Sequence, residues 1–116
     1  MVVKKIIKNI YENKKCISPW HDIKYKSGIY YNFVCEIPKL TTKKIEMDKY
    51  SLDNPLIHDI KNNEYRYYSQ PIYWNYGFIP QTWENPEYYI ENYGGDNDPL
   101  DFVEIGSNTL EIGNVY

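Results

Sequence analysis

Three aspartates fall within six residues of the stretch Gly95-Asp96-Asn97-Asp98-Pro99-Leu100-Asp101. Glycine permits unusual backbone angles and proline fixes one, so the stretch predicts a rigid polar turn. Where the backbone is extended, Asp96 and Asp98 point to the same side, and Asp101 follows where the turn enters an apolar run at 102–105. Carboxylates brought together repel one another, and a hard divalent cation such as Mg²⁺ neutralises them. The stretch is therefore a candidate metal site.

Two other interpretations compete for the same residues. Asp-Asn-Asp-Pro is common turn chemistry, and composition alone favours a solvated surface loop. An EF-hand calcium loop fails on spacing, because Asp101 stands where the loop needs glycine and Ser107 stands where it needs glutamate.

The rest of the composition excludes several classes of protein. A net charge of −3 argues against a nucleic-acid partner, since nucleic-acid binders normally show a basic surface. The two cysteines, Cys16 and Cys35, lack Cys-x-x-Cys spacing, and the two histidines lie far apart, so no zinc site is predicted. Charges interrupt every apolar run, which predicts neither a membrane segment nor a signal peptide. We expect a cytoplasmic protein without a membrane partner.

Short strands are the elements that must position the aspartates. Strand-favouring residues occupy 29–37, 43–47, 65–68, 101–105 and 109–116, with turn residues between them. Residues 84–92 read as a polar loop or a short helix. Apolar residues in 1–16 follow helical spacing, but an irregular basic extension fits equally well. Several short strands at close spacing predict an all-β barrel or sandwich.

Ordered sequence blocks then point to a known family. Asp96–Phe102 (DNDPLDF) and Asn75–Glu84 (NYGFIPQTWE) closely resemble motifs of the soluble family I inorganic pyrophosphatases. Further agreeing blocks are VCEIPK at 34–39, NPLI at 54–57, PWHDI at 19–23 and VEIG at 103–106. The last two fit the eukaryotic branch of the family.

The resemblance implies a fold, a reaction and a partner. The fold would be mainly β, an OB-like five-stranded barrel that this chain forms incompletely. Residues 1–18 would be an N-terminal extension, and 19–116 the N-terminal part of a pyrophosphatase domain. The implied reaction is hydrolysis of pyrophosphate to two orthophosphates with several Mg²⁺ ions, in a homodimer.

The resemblance also assigns roles by position in this chain. Asp98 corresponds to the carboxylate that orients or deprotonates the attacking water. Acidic residues at metal-binding positions are Asp96, Asp101, Glu46 and Glu36, and the phosphate-contacting positions hold Lys44, Arg66 and Tyr76. Lys44 and Glu46 lie two apart on a predicted strand and so share a face.

Two departures from the family pattern matter. The family places a tyrosine that serves near the leaving phosphate four residues before Tyr76, where this chain has Ile72. Either Tyr73 takes that catalytic role from a shifted backbone, or the role is lost. The family also continues beyond Gly106 with two more acidic metal ligands, a lysine and a Tyr-Lys pair. We therefore expect the 116-residue chain to turn over pyrophosphate poorly by itself. The alternative function is a non-catalytic form that binds metal or phosphate, or contacts another protein.

Overall fold

The chain folds entirely into short strands joined by turns. A computed structural model describes residues 1–116 and contains no helix, hence none that could span a membrane. The strands are β1 (Ile6–Lys8), β2 (Ile10–Glu12), β3 (Lys15–Ile17), β4 (Lys26–Ser27), β5 (Tyr30–Tyr31), β6 (Val34–Ile37), β7 (Ile45–Met47), β8 (Leu56–His58), β9 (Ile60–Lys61), β10 (Glu64–Tyr65), β11 (Asn75–Phe78), β12 (Tyr89–Ile90), β13 (Tyr93–Gly94) and β14 (Asp101–Glu104).

Two three-stranded antiparallel sheets organise the molecule. One has the order β1-β8-β7 and the other has the order β14-β11-β6. Both sheets contribute to one core of seven buried residues, which comprises Val34, Ile37, Ile45, Met47, Leu56, Ile72 and Phe78. The remaining strands form two-stranded hairpins, and the sheets do not close into a complete barrel.

Strand β11 is the central strand of the second sheet, and two of its residues allow and stabilise that position. A Cβ at Gly77 would overlap the carbonyl oxygen of Val34, so only glycine permits the close approach of β11 to β6. Asn75 is fully buried, and its amide nitrogen donates to Glu104 at 2.7 Å and to the Asn108 carbonyl at 2.8 Å. Its side-chain oxygen accepts from the backbone N–H of Lys39 and of Leu110. These bonds connect β11 to the residue Lys39 after β6 and to residues 104–110 at and after the end of β14.

The all-β expectation is confirmed, and the structure differs from it locally. The helical spacing in 1–16 was misleading, because residues 6–8 form β1 and pair with β8. Residues 84–92 contain no helix, and part of the segment forms the β12–β13 hairpin. The expected strand at 109–116 is absent. Instead, backbone hydrogen bonds join Phe33 to Tyr116 and Gly113 to Cys35, and Val115 forms an isolated bridge to Val34.

Candidate active site

A cavity of about 270 Å³ opens between β7, β11 and the acidic loop 95–101. Strand alternation explains one wall, because Ile45 and Met47 face the core while Glu46 is only half-buried between them. Seven of the nine residues predicted from the sequence line this cavity: Glu36, Lys44, Glu46, Tyr76, Asp96, Asp98 and Asp101. Arg66 and Tyr73 are not among the lining residues.

One group of carboxylates has the geometry of a cation site. Glu84, Asp96 and Asp101 each offer one oxygen, and the three oxygens lie within 4.8 Å of one another. Mg²⁺ takes hard oxygen ligands at about 2.0–2.1 Å in an octahedral arrangement completed by water. Three converging carboxylates supply oxygen ligands of this kind. Burial and the charge of Asp96 raise the pKa of Glu84, as expected for like charges held together.

Backbone hydrogen bonds fix the acidic loop to the segment that carries Glu84. The Asn97 N–H donates to the Glu84 carbonyl at 2.9 Å, and the Glu84 N–H donates to the Asp98 carbonyl at 2.8 Å. Asn97 adopts a φ of 64°, a left-handed conformation that asparagine tolerates. Within the loop, the Asp98 N–H donates to Asp96 Oδ1 at 3.1 Å. This ladder brings Glu84 close to aspartates more than ten residues later in the chain.

Two glutamates in the cavity are held at raised pKa values. Glu36 is 6% exposed, and its Oε2 accepts a 2.6 Å hydrogen bond from the Met47 N–H. Burial raises its pKa to about 8, despite that hydrogen bond. Burial and the neighbouring charge of Asp59 raise the pKa of Glu46 to about 7. A bound cation would favour the ionised form of both groups.

The two basic residues predicted to contact phosphate meet at a buried aspartate. Lys44 Nζ lies 3.0 Å from Asp59 Oδ2, and the Arg66 guanidinium donates to the same oxygen at 2.8 Å. Burial opposes ionisation of Asp59, but these bonds outweigh it and lower the pKa of that carboxyl. Lys44 also lies 4.0 Å from Glu46. Arg66, although outside the cavity lining, is thus linked to the cavity through Asp59.

The two tyrosines have different surroundings. Tyr76 lines the cavity, and burial together with a hydrogen bond to Asp101 raises the pKa of its hydroxyl. Tyr73 is 71% exposed. The catalytic role predicted for Tyr73 stays a prediction, and its hydroxyl lies outside the cavity in this structure.

Three site residues escaped the sequence reasoning. Glu84 lies at the end of the NYGFIPQTWE block, so its type and place were visible, but its contact with the loop depends on the backbone ladder. Asp59 follows a buried strand, where an acidic residue needs a partner. Lys49 contacts the acidic loop directly: its Nζ lies 2.8 Å from Asp98 Oδ1. No local sequence pattern marks this long-range contact.

Comparison with known proteins shows which family the chain resembles. A family model described as "Inorganic pyrophosphatase" matches residues 33–116. The chain is 44% identical over 105 residues to the soluble inorganic pyrophosphatase 6, chloroplastic, of Arabidopsis thaliana. That match covers 87% of this chain but 35% of the relative.

Solved structures give the same result. The inorganic pyrophosphatase of Schistosoma japonicum superposes with a TM-score of 0.86 at 41% identity, over 92% of this chain and 41% of that one. An N-terminally truncated vacuolar soluble pyrophosphatase of Trypanosoma cruzi, solved in complex with PPi, superposes with a TM-score of 0.78 at 41% identity. The match covers 87% of this chain and 44% of that one. The chain thus spans less than half the length of these relatives.

Proposed function

Because the chain belongs to the inorganic pyrophosphatase family, we propose that it serves the Mg²⁺-dependent hydrolysis of pyrophosphate to two orthophosphates. The observation that carries the proposal is the convergence of Glu84, Asp96 and Asp101 beside a cavity that also holds Asp98 and Lys44. Pyrophosphate is densely anionic, so its hydrolysis needs both cations around the phosphates and an activated water. The cavity supplies residue types for each need.

The chemistry of the side chains indicates which of them would bind the metal. Glu84, Asp96 and Asp101 would hold Mg²⁺, whose charge would favour the ionised forms of Glu36 and Glu46 at the cavity wall. Bound Mg²⁺ supplies charge neutralisation and lowers the pKa of water.

Other side chains in and around the cavity would act on water and phosphate. Asp98 would accept the proton of the attacking water, since its carboxylate lines the cavity. Lys44 would donate to phosphate oxygens, and Tyr76, which also lines the cavity, would offer a hydroxyl donor. Arg66 would bind phosphate if it turned from Asp59 towards the cavity.

Release of phosphate from pyrophosphate tests this proposal. Turnover should require Mg²⁺ and disappear with a chelator. Asp98→Asn keeps the shape of the side chain but removes the base, so whatever turnover the wild-type chain shows should fall by roughly 10²–10⁴-fold. The matched control is Asp53→Asn, an aspartate on a turn outside the cavity lining. A rate within a few-fold of wild type for Asp98→Asn would contradict the assigned role.

A second candidate function is binding of Mg²⁺ and pyrophosphate without hydrolysis, since the group formed by Glu84, Asp96 and Asp101 would account for binding by itself. Pyrophosphate binding that needs Mg²⁺ but gives no phosphate release, in the wild-type chain, would identify this form.

The remaining expectations are also proposals. Exposed apolar side chains that lie close together support a homodimer, because an interface would bury them. Leu40, Tyr73 and Trp74 are exposed, and the Leu40 N–H donates to the carbonyl of Ile72, which precedes Tyr73 and Trp74 in the chain. Leu40 adopts a φ of 66°, which is costly for leucine. The cytoplasmic location and the boundary at residue 18 stay predictions.

A further inference from the structure

Lys49 connects the acidic loop to the opposite wall of the cavity. It follows β7 by two residues, and its side chain is 20% exposed. Its Nζ donates to Asp98 Oδ1 at 2.8 Å and to the Asn97 carbonyl at 2.7 Å. Its charge also lies 5.6 Å from the centre of the Tyr50 ring. The ammonium group therefore contacts the loop carboxylate, the loop backbone and an aromatic ring at the same time.

These contacts complete the support of the loop. The ladder between Asn97, Asp98 and Glu84 holds the loop from one side, and the Trp83 indole N–H adds a 3.0 Å bond to Asn97 Oδ1. From the β7 side, the hydrogen bonds to the loop come from Lys49 alone. Without them the loop would keep its own turn but lose its attachment to that wall.

We propose that Lys49 is a positioning residue, which holds Asp98 and the Asn97 backbone against the β7 side and thereby sets the geometry of the metal-binding loop. The proposal rests on the role assigned to Asp98 and its neighbours under the proposed function. One Asp98 oxygen is bound by Lys49, so the orientation of the carboxylate in the cavity follows from this ion pair. Lys44 differs, because its ammonium group is paired with Asp59, away from the loop.

When the Lys49 charge is removed, the sign of the change in Mg²⁺ affinity distinguishes a positioning role from a purely electrostatic one. A lysine near a carboxylate cluster repels Mg²⁺, so the loss of its charge alone would tighten Mg²⁺ binding. The loss of a positioning contact would instead weaken Mg²⁺ binding, by roughly 10-fold or more as for other residues that orient metal ligands. Lys49→Met removes charge and donors at similar length, and Lys49→Arg keeps both.

The experiment uses the 116-residue chain with two readouts. Calorimetry measures Mg²⁺ affinity. Amide hydrogen exchange in metal-free buffer measures loop attachment at Glu84 and Asn97, whose N–H groups form the ladder. A lost bond to a charged group corresponds to roughly 10-fold faster exchange in the loop. The matched control is Lys39→Met. In the wild-type chain the Lys39 ammonium group donates to the Gly106 carbonyl, outside the cavity.

We expect Lys49→Met to weaken Mg²⁺ binding and accelerate loop exchange, while Lys49→Arg restores both and Lys39→Met changes neither. Tighter or unchanged Mg²⁺ binding by Lys49→Met, or unchanged loop exchange, would overturn the proposal. If the wild-type chain bound no Mg²⁺, the proposed function would fail. Loop exchange would still decide whether Lys49 attaches the loop, and unchanged exchange would overturn the inference in that case too.

Discussion

Replacement of Glu36 by glutamine should make the chain more stable, and increasingly so as the pH rises. Glu36 is buried and its pKa is raised from 4.5 to about 8. The folded state therefore binds this proton more tightly than the unfolded state does. The resulting cost to stability is absent below about pH 4.5, grows between 4.5 and 8, and is complete above 8. Glutamine is neutral throughout, and its carbonyl oxygen can still accept the Met47 N–H.

The magnitude follows from the pKa interval. Each pKa unit corresponds to about 1.4 kcal/mol, so the full interval is worth about 5 kcal/mol. Between pH 5 and pH 7.5 the stability advantage of Glu36→Gln over wild type should grow by about 3 kcal/mol. Other titrating groups are common to both proteins and largely cancel in this difference.

Urea unfolding in a chelator, at both pH values, measures the advantage. The chelator matters because a bound cation would favour ionised Glu36. A difference between the two proteins that stayed constant within about 0.5 kcal/mol from pH 5 to 7.5 would refute the assignment of a raised pKa to Glu36.

Three other substitutions test the site and the fold. Glu84→Gln should raise the Mg²⁺ concentration needed for pyrophosphate binding by roughly 10-fold, while Glu87→Gln, at an exposed position just before β12, should leave it unchanged; equal effects would contradict the role of Glu84 in the cation site. Tyr73→Phe decides between the two alternatives for the family tyrosine: turnover should stay within about 2-fold if the role is lost, as the position of the hydroxyl outside the cavity favours, and a large loss in a phosphate-release assay would support the catalytic role of Tyr73. Asn75→Ala should lower the free energy of unfolding by about 2–4 kcal/mol in urea, since it leaves several buried groups unpaired; a loss below about 1 kcal/mol would contradict the role given to those bonds.

The sequence indicated which residues would meet in the cavity better than how they are arranged there. Asp96, Asp98 and Asp101 could be singled out because they lie within one turn, and all three line the cavity. Lys44 and Glu46 were placed on one face by strand alternation, and both line the cavity.

The contacts that the sequence did not reveal are non-local. Glu84 joins the aspartates through a backbone ladder, and Lys49 reaches Asp98 across 49 positions of sequence. At the C-terminal end, residues 109–116 have strand-favouring side chains, yet tertiary contacts with Phe33 and Cys35 leave them irregular. Propensity is a weak guide where packing decides.

The acidic loop and Glu84 would together form an Mg²⁺-dependent pyrophosphate site. Calorimetric titration of pyrophosphate into the 116-residue chain, with excess Mg²⁺ and then with a chelator, tests it most directly. The wild-type chain should bind pyrophosphate only when Mg²⁺ is present, and the double variant Asp96→Asn, Asp101→Asn should bind none under either condition. Pyrophosphate binding that was indifferent to Mg²⁺, or that survived the double substitution, would contradict the claim.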